Sequence, residues 1–100
     1  MKDLKYLLEE TSSLLISADE KYWSAKVQSA IQLLPEKPMR AISEVESWYG
    51  GMGSFNDLLI SSLNGHSLGT ISEHEANAKL AMLRGKLFQS TQNIRDLDRS

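Results

Sequence analysis

The two histidines are the first residues to weigh for chemistry, since imidazole most readily gives and takes protons near neutral pH. His66 lies in the glycine- and serine-rich stretch "SLNGHSLGTIS", shortly after Ser61 and Ser62. A serine nucleophile with a histidine base would need a nucleophile-elbow pattern around the serine, and neither serine has one. His74 stands between Glu73 and Glu75. A metal would need both histidines to converge with those carboxylates, and neither the HxxxH nor the HExxH spacing occurs. Glu44 and Glu46 are two residues apart, which puts them on different faces of a helix rather than side by side as an acid–base pair. The chain has no cysteine. That excludes disulfides and thiolate metal sites, and it fits a reducing compartment such as the cytoplasm. The pattern predicts a protein that is not an enzyme and takes no metal or cofactor.

The stretch "WYGGMGSFNDL", residues 48–58, offers a third chemistry, anion binding on a glycine-rich loop. A phosphate loop follows a strand and ends in a lysine. This one follows a helical pattern, and no Lys or Arg lies between Arg40 and Lys79. Only backbone amides at the helix start near Ser54 could meet an anion. The glycines have a simpler use. Gly50 or Gly51 ends a helix in the left-handed conformation, and the chain turns at once into another, with Met52 and Phe55 facing inward.

The elements that would position these residues are helices. "DLKYLLEETSSLLISA" places Leu4, Leu7, Leu8, Thr11, Leu14 and Leu15 on one face, predicting a helix from about Asp3 to Ile16. Asp19 has the character of an N-cap for the next helix, whose face carries Tyr22, Trp23, Val27, Ala30, Ile31 and Leu34 and which Pro35 ends. Pro38 suits the first turn of a third helix, with Met39, Ile42, Val45 and Trp48 in one row and Ala41, Val45 and Tyr49 in another. Helical spacing favours a core position for both tryptophans. A short fourth helix is expected after Ser54, with Asp57 completing a capping box and Leu58, Leu59 and Ile60 on its apolar side. Asn64-Gly65 signals a turn. Ser72 and Glu75 form a second capping box for a last helix striped by Ala76, Leu80, Leu83 and Leu87. The tail from about residue 91 is polar and is expected to fray. The prediction is all-α: residues 1–100 as a single domain, a small bundle of four to five helices.

Formal net charge is −2, which argues against direct nucleic-acid binding because that requires a basic face. The charged first residues do not suit a signal peptide, and no stretch approaches the roughly 20 apolar residues that span a bilayer. A slightly acidic surface is compatible with a basic protein partner.

"GGMGSFNDL", Gly50 to Leu58, resembles the hallmark of a small helical bacterial domain family of unknown function. The resemblance extends to "ANAKLAMLRGKLFQ", Ala76 to Gln89, and to the first two helices with Trp23 in the second. The segment "ISSLNGHSLGTISEH" departs from the family, where a shorter, proline-containing link is expected. Such proteins are similar to immunity proteins of contact-dependent inhibition systems. The resemblance implies a cytoplasmic protein that covers the cleft of a cognate toxin, an RNase or other nuclease domain. The alternatives from other classes are a helical adaptor and a small-molecule or phosphate-binding protein. A basic cleft calls for carboxylates and aromatic anchors. Glu44, Glu46, Tyr49, Met52 and Asp57 supply both around the corner after the third helix. Glu9, Glu10, Asp19 and Glu20, at the end of the first helix and the turn after it, are the second acidic surface.

Overall fold

The computed structural model describes residues 2–50, 54–67 and 71–99. Four α-helices and two single 3₁₀ turns make up the regular structure, with no strand among the described residues. Helix α1 is Lys2–Ser17, α2 Lys21–Leu33, α3 Pro38–Glu46 and α4 Glu73–Arg99; the 3₁₀ turns are Phe55–Asp57 and Ser62–Asn64. Helix α1 packs on α2 and α4, α2 packs on α3, and α3 returns to α4. The architecture is the expected all-α bundle.

Each apolar stripe turns inward. Leu4, Leu8, Leu14 and Leu15 of α1 join Trp23, Val27 and Ala30 of α2, Ala41, Ile42 and Val45 of α3, and Ala76, Leu80, Leu83 and Leu87 of α4 in one core. Trp48 and Phe55 are fully buried beside them. Thr11, on the buried face of α1, keeps its hydroxyl satisfied by donating to the Leu7 carbonyl at 2.7 Å. Tyr22 departs from the expected stripe and is exposed. Its ring lies edge-on to Trp23, with the Lys26 ammonium over both rings.

The turn between α1 and α2 reverses one assignment. Asp19 is not the N-cap of α2. Its φ of 58° is left-handed. The Glu20 amide donates to the Leu15 carbonyl and the Asp19 amide to that of Ile16, the paired bonds of a Schellman motif that closes α1. Aspartate tolerates this conformation better than most residues. Capping α2 passes to Glu20, whose Oε2 accepts the Trp23 amide at 2.6 Å.

Helix α2 ends before Pro35, and α3 starts on Pro38 as expected. Gly50 has φ 97°, the left-handed stop; Gly51, Met52 and Gly53 lie outside the described residues. The expected fourth helix is one 3₁₀ turn, and the Ser54 side chain makes no cap hydrogen bond to it. Of its apolar side, Ile60 is buried and Leu59 is exposed. Gly65, with φ 81°, makes the turn that Asn64-Gly65 signals. Helix α4 runs on through Arg99. Tertiary contacts hold it there: Thr91 is buried, Ile94 packs on the core, and Arg95 reaches Glu46 of α3.

Candidate functional site

The corner between α3 and the first 3₁₀ turn is built from aromatic rings. Phe55 sits 5.0 Å from Trp23, 5.8 Å from Trp48 and 6.1 Å from Tyr49, centroid to centroid. Most of these pairs meet edge to face, the arrangement that the ring quadrupoles favour. The Phe55 amide donates to the Trp48 carbonyl at 2.8 Å, closing the corner across the glycines. Arg84 of α4 ties it down. Its Nη1 donates to the carbonyls of Phe55, Asn56 and Leu58 at 3.0, 3.3 and 3.0 Å. The Tyr49 hydroxyl in turn donates to the Arg84 carbonyl at 2.8 Å. Burial pushes the Tyr49 phenol above its ordinary pKa, and the Arg84 charge pulls it part of the way back.

Two of the acidic residues expected around this corner, Glu44 and Glu46, are engaged within the fold through their side chains. Glu44 Oε1 accepts the Trp48 indole N–H at 3.1 Å. Glu46 makes a forked pair with Arg95, the shortest contact 2.7 Å. Those bonds hold the Arg95 guanidinium above its usual pKa. Asp57 closes the 3₁₀ turn, its amide donating to the Ser54 carbonyl at 2.9 Å. Met52 lies outside the described residues. Tyr49 is half-buried.

On the second acidic surface, Glu9 and Asp19 are exposed. Glu10 accepts the Tyr6 hydroxyl at 3.2 Å, which raises the Tyr6 pKa. Glu20 is a structural hub. One oxygen caps α2 and the other faces His66 Nε2 at 3.4 Å. His66 Nδ1 accepts the Ser61 amide at 3.0 Å, so Nε2 carries the proton toward Glu20. The imidazole is nearly buried, with 6% side-chain exposure. His66 binds the loop to the α1–α2 turn, helped by the Ser67 amide donating to the Ala18 carbonyl. Loop polarity hid this contact, which joins residues 46 apart.

Two further anchors lacked a sequence signal. The Asn77 carboxamide pairs with both backbone groups of Ile60, each at 2.8 Å. Glu73 accepts the Ser62 amide at 2.7 Å. No group of three or more metal-ligating side chains occurs among the described residues. Among those residues, no helix is long and apolar enough to cross a membrane.

Fold and site together define a small all-α domain whose polar side chains mainly bind its own connections. The chain belongs to a family described as a domain of unknown function (DUF6966), whose model matches residues 16–69. The matched stretch holds α2, α3 and the glycine corner; most of α1 and all of α4 lie outside it. No curated protein and no solved structure matches the chain.

Proposed function

We propose that the protein is a cytoplasmic immunity protein: a non-catalytic helical scaffold that binds a cognate bacterial toxin, a nuclease domain of contact-dependent inhibition, and covers its active-site cleft. The observation that carries this reading is the use of the polar side chains. His66, Glu20, Glu46, Asn77 and Arg84 all hold loops or helices in place. A domain fixed in this way offers a preorganised surface, which lowers the cost of association.

Of the two acidic surfaces, the one on α1 and the turn after it complements a basic cleft better. Glu9 and Asp19 are exposed, whereas Glu44 and Glu46 are bound to Trp48 and Arg95. Tyr49 remains the half-buried aromatic of the other surface. The test is co-expression with the toxin domain encoded in the adjacent reading frame. Rescue of growth and co-purification of the two proteins are expected. Failure of both refutes the reading. Glu9→Lys with Asp19→Asn should weaken the complex in a salt-dependent way without lowering the melting temperature.

A further inference from the structure

A groove of about 370 Å³ runs between the corner after α3 and the middle of α4, lined by Tyr49, Asn56, Ala81, Arg84, Gly85 and Phe88. Gly85 stands inside the 27-residue α4. Glycine in a helix interior costs about 1 kcal/mol relative to alanine, so its presence calls for a reason. Backbone conformation is not the reason, because Gly85 is not among the glycines with positive φ. Close packing is not the reason either, because a Cβ there would meet no atom within 4 Å. What the missing side chain does is leave the groove open.

The rest of the lining suits a particular guest. Phe88 is 43% exposed, and its ring lies against Tyr49 at 5.2 Å, giving the groove an aromatic side. Arg84 is the one charged residue among the lining residues. Three carbonyls fix its Nη1. Its Nε and Nη2 donate to no partner among the described residues. A guanidinium held in place through Nη1 can offer its Nε–Nη2 edge to a carboxylate.

We propose that this groove receives an acidic residue of a partner protein together with an adjacent apolar side chain. The carboxylate meets Nε and Nη2 of Arg84, and the apolar group lies over Gly85 beside Phe88. A partner protein is favoured over a free small acid because the groove is open on its outer side. Sites for small ligands cover most of the ligand's surface, whereas a side chain delivered by a partner is covered by the partner itself. The site goes beyond the toxin reading and does not depend on it.

The experiment is a titration of the whole chain, followed by amide and arginine side-chain chemical shifts, with a terminally blocked tetrapeptide holding glutamate beside phenylalanine. The control peptide has glutamine in place of the glutamate. Shifts should cluster at Tyr49, Asn56 and residues 81–88, and the control should bind about tenfold more weakly. Gly85→Leu fills the floor and should abolish the response while the melting temperature holds or rises. Gly85→Ala should give an intermediate loss, and it carries the same test if the leucine variant fails to fold. Equal binding of both peptides, shifts centred elsewhere, no response to either peptide at millimolar concentration, or undiminished binding by the glycine variants overturns the proposal.

Discussion

Two connections in series link α3 to α4, and they are held by different physics. The first, residues 47–58, is an aromatic corner in which Trp48 and Phe55 are buried against Trp23. The second, described over residues 60–67 and 71–72, has no fully buried large side chain after Ile60 among those residues. Ile71 packs partly buried against the core, and polar contacts hold the rest. The Ser61 amide goes to His66, the Ser62 amide to Glu73, both Ile60 backbone groups to Asn77, and His66 reaches Glu20. Apolar burial is non-directional and cooperative with the core, so the corner should fail only when the domain fails. A hydrogen-bonded loop can open by itself, because each bond depends on geometry and water can replace it.

The largest expected effect lies in the corner. Phe55→Ala or Trp48→Ala removes a fully buried ring and should cost about 3–5 kcal/mol. That is a large fraction of the whole stability of a domain this size. Chemical denaturation should show the loss, with exchange protection falling in all four helices together. Protection lost only near residue 55 would mean that the corner is not part of the core.

His66→Ala should cost less, about 1–3 kcal/mol, by leaving the Ser61 amide and a Glu20 oxygen without their partner. The distinguishing result is locality. Amide exchange should accelerate at residues 61–67 while the Phe55 region stays protected. Glu20→Ala should reach the same loop from the other end and also uncap α2, so its effect should include the first turn of that helix. Global unfolding by His66→Ala would erase the contrast between the two connections.

This contrast also explains what the sequence discloses. Stripes such as Leu4, Leu8 and Leu15, or Leu80, Leu83 and Leu87, are local periodicities, and they were legible along with the stops at Pro35, Gly50 and Gly65. The burial of Phe55 was legible because it sits among aromatics just after a helix. His66 was not, because its partners depend on where a loop comes to rest against a turn 46 residues away. Asp19 and Glu20 exchanged roles because either acid can cap, and only the Schellman bonds of α1 decide between them. The last helical turns were hidden in the same way: "NIRDLDRS" looks polar, but Ile94 and Arg95 meet the core and Glu46. Of the groove, the sequence discloses nothing beyond a glycine off the apolar stripe of the last helix, at Gly85.

Tyr49 belongs to both kinds of support, since its ring packs on Phe55 and its hydroxyl donates to the Arg84 carbonyl. Tyr49→Phe keeps the ring and should cost about 1 kcal/mol at neutral pH. The raised phenol pKa adds a pH signature. Above pH 10, roughly the ordinary tyrosine value, the unfolded chain loses this proton while the folded chain keeps it. Stability contributed by this group therefore falls as pH rises beyond that point. The gap between the native protein and Tyr49→Phe should narrow between pH 9 and pH 11. A constant gap would show that the phenol is not set by burial.

The smallest effect concerns two serines that carry the same capping signal. Ser54 precedes Asp57 by three residues, and Ser72 precedes Glu75 by three. At Ser72 the N-cap bond forms: its Oγ accepts the Glu75 amide at 3.1 Å and donates to the Glu75 carboxylate at 3.4 Å. At Ser54 the backbone carbonyl accepts the Asp57 amide instead, and the buried Oγ has no hydrogen-bond partner among the described residues. A 3₁₀ turn of three residues draws its amides back to main-chain oxygens and leaves the side chain nothing to cap. Ser72→Ala should therefore lose about 1 kcal/mol, the usual value of an N-cap. Ser54→Ala deletes a buried, unpaired hydroxyl and should be neutral or stabilising by a few tenths of a kcal/mol. Melting temperatures of the two variants, measured side by side, separate the cases. A loss at Ser54 as large as that at Ser72 would mean that its hydroxyl holds the corner, and that the first connection depends on a polar anchor as the second one does.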